Sequence, residues 1–136
     1  MTTRAEKQAR ADHTAAHSQL VADIRERLGR EPGLALYLNT KGRLKSIGGQ
    51  PTYVTEPALT VGSSDLIGML YPRGRWFCLE VKTGDAVLTL GQKQWRDLVR
   101  RMGGFFAVVR SVDDAVEAHE MAKAGSDGAA LDLKNQ

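Results

Sequence analysis

Trp76-Phe77-Cys78-Leu79-Glu80-Val81-Lys82 is the stretch on which the fold turns. It is a short apolar run between two breaks, Tyr71-Pro-Arg-Gly-Arg75 before it and Thr83-Gly-Asp85 after it, and it reads as a β-strand. Side chains alternate across a strand, so Phe77, Leu79 and Val81 form one face, suited to a core. Cys78, Glu80 and Lys82 form the other. A carboxylate and an ammonium therefore share one face of an otherwise apolar strand.

Upstream, Leu59-Thr-Val61 and Asp65-Leu-Ile-Gly-Met-Leu70 are also strand-like. A tight turn about Pro72-Arg-Gly74 folds the second of these back on the 76–82 strand and sets Asp65 opposite Glu80 and Val81. Further upstream, Leu34-Ala-Leu-Tyr-Leu38 reads as a strand and Asn39-Thr-Lys-Gly42 as a turn. Residues 43–58, with Gly48-Gly49, Pro51 and Pro57, read as a long loop or an irregular hairpin. Leu20, Val21, Ile24 and Leu28 recur at helical spacing and predict a helix over 15–28, ended by Gly29 and Pro32-Gly33.

Downstream, Thr89 and Gln92 have the spacing of a capping box, and Trp95, Leu98, Val99 and Met102 form an apolar stripe closed by Gly103-Gly104. Phe105-Phe-Ala-Val-Val109 predicts a buried strand, parallel to an earlier one because it follows a helical crossover. Ser111 caps a last helix with Val112, Ala115, Val116 and His119 on one side. The expected order is α-β-β-β-α-β-α, an α/β sandwich around a small mixed sheet. Residues 1–14 read as a polar N-terminal arm, frayed or a helical extension, 15–124 as one domain and 125–136 as a disordered tail.

The chain has 136 residues, 42% hydrophobic and 26% charged, enough for one soluble domain. A net charge of +3 permits a polyanionic partner without requiring one. The lone Cys78 excludes an internal disulfide framework and a multi-cysteine zinc site. The N-terminal stretch has no apolar core, so no signal peptide is expected, and no run reaches transmembrane length. A reducing cytoplasm is the expected setting, with no membrane and no organic cofactor.

Asp65 and Glu80 at cross-strand distance would repel, each raising the other's pKa, unless a positive charge sits between them. A hard divalent cation such as Mg²⁺ or Mn²⁺ meets that need with oxygen ligands, and it would polarise a phosphoryl group and acidify a water. Lys82 adds a second positive charge and a donor. Such a set suits phosphodiester hydrolysis. The plain alternative is that Glu-x-Lys on a strand marks a solvated face with a weak charge pair.

The ordered set of fragments adds to this. Gly62-Ser-Ser-Asp65-Leu-Ile-Gly68, Gly74-Arg-Trp-Phe-Cys-Leu-Glu80-Val-Lys82-Thr, Gln92 with Trp95, Gly103-Gly104-Phe and Val109-Arg-Ser-Val-Asp-Asp-Ala115 together resemble a VRR-NUC domain, a branch of the PD-(D/E)xK nucleases. Asn39-Thr-Lys-Gly42 resembles its N-terminal turn motif, and the likeness spans residues 17–118. It implies a restriction-endonuclease-like core and a structure-specific, metal-dependent DNA endonuclease acting on branched DNA such as four-way (Holliday) junctions or flaps.

It further implies a homodimer, with helix 1 or the 105–109 strand as candidate interfaces. Asp65 and Glu80 would be metal ligands, with the Val81 carbonyl as a third, and Lys82 would act on the attacking water. Gln92 has two readings, a site residue or only the reciprocal cap for Thr89. The chain departs from the pattern at Ser64, where proline is frequent, and in helix 1, where an acid is usual at about His17 or Ser18 and neither is one. His17 reads as a substitute ligand, a phosphate contact or a core-edge histidine, and it is spaced i, i+4 from His13.

Lys41, Arg43, Lys45, Lys93, Arg96, Arg100 and Arg110 are the candidate DNA-binding cations, each with a solvated or structural alternative. Cys78 lines the site or fills the core. A non-catalytic DNA-binding module on the same fold, and a protein-interaction domain, are the competing functions.

Overall fold

The computed structural model describes residues 3–134. Strands β1 (Leu34–Leu38), β4 (Leu66–Leu70), β5 (Arg75–Val81) and β6 (Phe105–Val109) form a mixed sheet in the order β1-β4-β5-β6. The β1/β4 and β4/β5 pairs are antiparallel and β5/β6 is parallel. The parallel pair follows from helix α2 (Leu90–Arg101), which crosses from β5 to β6. Helices α1 (Arg4–Leu28) and α3 (Val112–Lys123) complete the α/β architecture.

Alternation along β5 sorts the two cores as expected. Phe77, Leu79 and Val81 join Ile24 and Leu28 of α1 and Ala115 and Ala118 of α3 in the larger one. Cys78 points the other way, among Trp95, Val99, Phe106 and Val108 beneath α2. Both Thr89 and Ser111 cap their helices, and Thr89 and Gln92 close a full capping box.

Four expectations are corrected. Helix α1 starts at Arg4 rather than near Ala15, which is the helical extension of the two readings, because Thr3 and Glu6 make a capping box ahead of the apolar stripe; residues 1–2 lie outside the described residues. The 41–56 stretch is a regular hairpin, β2 (Lys41–Ile47) and β3 (Gln50–Glu56), turned by Gly48-Gly49 at φ 59° and 78°, the left-handed pair that a two-residue hairpin turn requires. The supposed turn at 39–42 is thereby reduced to Asn39-Thr40. Leu59-Thr-Val61 is a bend and turn instead of a strand, since the Ala58 and Leu59 N–H groups are taken by the Asn39 side chain.

Residues 125–134 fold as well, which is the fourth correction. Helix α4 (Ala129–Lys134) packs on β6, and Leu131 is 1% exposed within the larger core. Arg100 ties it down, pairing with Asp132 at 2.8 Å and donating to the Asp127 and Phe106 carbonyls. Residues 135–136 of the expected tail lie outside the described residues. The surfaces expected as dimer interfaces are already occupied: Val21, Ile24 and Leu28 of α1 and all of Phe105–Val109 are buried in the chain's own core. No helix among the described residues is long and apolar enough to cross a membrane.

Two outcomes test this packing. Leu131→Ala should lower stability by about 2–5 kcal/mol, the range for truncating a well-packed buried leucine, as read from urea unfolding. His119, buried edge-on against the Phe77 ring, has no hydrogen-bond partner at Nε2 among the described residues. Burial first, then Lys123 and Arg27, hold its imidazole below the usual 6.5, against the opposing pull of Glu31 and Glu120. The unfolded state thus binds the proton more readily, so this contribution is present above about pH 6.5 and falls away as pH drops below it. His119→Phe should unfold less steeply with acid than the parent.

Candidate functional site

The carboxyl end of β5 carries the site. The register pairs Leu66 with Leu79, so Asp65, one residue before β4, stands against Glu80. The Val81 N–H donates to Asp65 Oδ2 at 2.8 Å. Two carboxylates thus meet where one strand enters the sheet and its neighbour leaves it.

A network secures Asp65 from behind. Buried Asn39 donates to Ser63 Oγ (2.7 Å) and the Ser64 carbonyl (2.9 Å), and its own carbonyl accepts the Ala58 and Leu59 N–H groups. The Asn39 N–H donates to the Asp65 carbonyl at 2.8 Å. Trp95 Nε1–H donates to Ser64 Oγ, which itself donates to the Leu66 carbonyl. Gly62, at φ 86°, packs so close to Gly91 that an added Cβ would lie 2.5 Å from the Gly91 carbonyl. The loop before Asp65 is therefore seated backbone against backbone on the first turn of α2.

That first turn supplies Gln92. Its Oε1 accepts from the Thr89 N–H (2.9 Å) and from Lys82 Nζ (2.8 Å), and its Nε2 donates to Glu80 Oε1 (3.2 Å). Gln92 is thus the helix cap and also the hydrogen-bond partner of Lys82 and Glu80. Lys82 Nζ lies 3.7 Å from Glu80 Oε1. From the opposite layer, α1 brings His17. Its Nε2 is 3.1 Å from the Val81 carbonyl and 3.4 Å from Asp65 Oδ2. Because a carbonyl only accepts, Nε2 carries the proton. His13 reaches only Thr83, 3.3 Å from its hydroxyl.

The electrostatics are unequal. Glu80 is 4% exposed, and its Oε2 has no hydrogen-bond partner among the described residues. Burial first, then the Asp65 charge, push its carboxyl up to about 9 despite Lys82. Burial works against ionising Asp65 too, but the His17 ring and the Val81 N–H outweigh it and hold that carboxyl below its ordinary range. The Asp65 contact raises His17, against its own burial. Cys78 is fully buried and its thiol is pushed up by burial to about 11, so it fills the smaller core and takes no part in the site.

A buried acid with one unpartnered oxygen beside an ionised carboxylate suits a hard cation, which would let both ionise. Asp65, Glu80 and the Val81 carbonyl are the oxygens that would hold it. Among the described residues no three His, Cys, Asp or Glu side chains converge as a metal cluster, so the set is two carboxylates and a main-chain oxygen.

Comparison with protein-family models, characterised proteins and solved structures finds no match. The cations expected to bind DNA fall into three groups. Arg100 anchors α4, and Arg110 donates to the Gly84 and Ala86 carbonyls, holding the loop after β5. Lys93 and Arg96 line a depression of about 430 Å³ with Arg110, and Arg96 also pairs with Asp97. Lys41, Arg43 and Lys45 stand exposed on β2.

Asn39, Ser64, Trp95 and Gly62 escaped the sequence reading as positioning residues. Their signal was only a polar residue ending one strand and small residues before Asp65. Gly62→Ala should destabilise by more than the about 1–2 kcal/mol that left-handed backbone alone imposes on an alanine, because the Gly91 contact adds to it. Urea unfolding reads this, and a loss within the strain range would show that the loop can move off α2.

Proposed function

We propose that the protein is a divalent-metal-dependent deoxyribonuclease of the PD-(D/E)xK kind that hydrolyses phosphodiester bonds in DNA, with branched forms the favoured substrates. The observation that carries this reading is Glu80, a nearly inaccessible carboxyl with an unpartnered Oε2, set against Asp65 and bracketed by Lys82 and Gln92. Buried carboxyl oxygens of structural ion pairs are rarely left unpartnered.

Mg²⁺ or Mn²⁺ between the carboxylates would supply Lewis acidity toward a phosphoryl oxygen and a water. The chain's own groups do the rest. Gln92 holds Lys82 Nζ in place through its Oε1, so the ammonium is fixed where it can orient a water or stabilise charge growing on a phosphate oxygen. The Val81 N–H keeps Asp65 ionised and turned inward. His17 occupies the helix-1 position where the resembled family has an acid. Its proton is directed at Val81 and Asp65, so it positions the ligand side of the site.

Labelled duplex, single-stranded, flap and four-way-junction DNA with Mg²⁺, Mn²⁺ or EDTA, beside Glu80→Gln and Lys82→Ala, tests the proposal. Metal-dependent cutting should fall by about 100-fold or more in each variant, the scale expected when a preorganised charge is removed. Mn²⁺ should raise the melting temperature of the parent and not of Glu80→Gln. Binding without cutting under either metal would replace this reading with the non-catalytic DNA-binding module. Absence of both would leave the protein-interaction domain.

A further inference from the structure

The β2–β3 hairpin pairs with no strand of the main sheet, and all seven β2 residues are exposed. A two-stranded ribbon without a supporting layer is marginal in water and contributes nothing to the core. Its side chains are nevertheless sorted. Lys41, Arg43 and Lys45 lie on one face of β2, and Glu56 across from Lys41 sits 3.0 Å from Arg43 and 3.8 Å from Lys41. Leu44 and Tyr53 lie on the other face, with the Tyr53 ring closed over Gly42. At about 3.4 Å per residue the seven-residue strands extend roughly 20 Å.

The foot of this arm is at the site. Thr40, Thr55, Glu56 and Pro57 line a cleft of about 420 Å³ whose other wall includes His17 and Asp65. The cleft at the foot of the arm thus reaches Asp65.

We propose that the hairpin is a duplex-binding arm, a ribbon that lies in the major groove of double-helical DNA with Lys41, Arg43 and Lys45 on its phosphate walls. The major groove admits a two-stranded ribbon, and three cations on one face complement its charge. A second copy of the chain fits less well: the cations repel their like, and Pro51 has no N–H to offer an added strand. A single strand fits less well too, since it is held by stacking successive bases on several rings, and the hairpin carries one ring, Tyr53. The choice of DNA as partner rests on the nuclease reading. The arm's role in binding is separable from cutting.

Binding is measured in EDTA by fluorescence anisotropy, on a labelled duplex and on a single strand, across a salt series. The parent is compared with a Lys41→Gln, Arg43→Gln, Lys45→Gln variant and with a shortened hairpin in which residues 44–53 give way to an Asn-Gly turn. An Arg25→Gln, Arg30→Gln, Lys123→Gln variant controls for net charge. Both hairpin variants should melt like the parent. The triple variant should bind duplex about tenfold or more weaker than the control, with a log–log salt slope shallower by about 2–3, near 0.9 per lost phosphate contact. The shortened arm should lose duplex binding to a similar degree. Hairpin variants no weaker than the control would overturn the proposal, and so would equal losses on single strand and duplex. Arm-dependent duplex binding by a protein that cuts nothing would uphold the arm and sink the nuclease, whereas cutting that survives both variants unchanged would do the reverse.

Discussion

The structure depends on a carboxyl held inside an apolar sheet. Glu80 lies on β5 between Leu79 and Val81, with α2 above it and β6 beside it. Burying an acid there is unfavourable unless it is protonated or neutralised. Everything around it answers that problem in part: Gln92 donates one hydrogen bond, Lys82 stands near the same oxygen, and Oε2 is left unpartnered. The carboxyl is accordingly pushed up to about 9, by burial first and then by the Asp65 charge.

Placing two carboxylates together requires rigidity that the short strands do not have alone. The Asn39 network and the contact of Gly62 with Gly91 fasten the approach to Asp65 on β1 and on the first turn of α2. The capping residue of α2 then becomes a site residue, because the same amide carbonyl serves the Thr89 N–H and the Lys82 ammonium. Helix capping and site geometry are one device here. Any change that frays the start of α2 also releases Lys82.

The chain divides its basic residues between two tasks. Arg75, Arg100 and Arg110 point their planar donors at main-chain carbonyls and close the fold: Arg75 reaches the carbonyls of Gly103, Ala122 and Ser126. Lys41, Arg43 and Lys45 sit on an arm that the core does not need. Arginine suits the first task because its fork satisfies several acceptors at once.

The β4–β5 hairpin, the capped helices, the buried parallel strand and the pairing of Asp65 with Glu80 were all legible in the sequence. They rest on local rules, period-two alternation and fixed cap spacing, that operate within a few residues. Three other matters were not legible, and the last two of them only tertiary structure decides. The 41–56 hairpin was obscured because its polar residues follow no buried face, so the Gly48-Gly49 turn was the one local cue. Folding of 125–134 was hidden because its order comes from Arg100 and β6, far away in sequence. The placing of His17 on Val81 and Asp65 joins residues 64 and 48 apart through the packing of α1 against the sheet. Such contacts belong to no local pattern, since their partners meet only after the layers have closed.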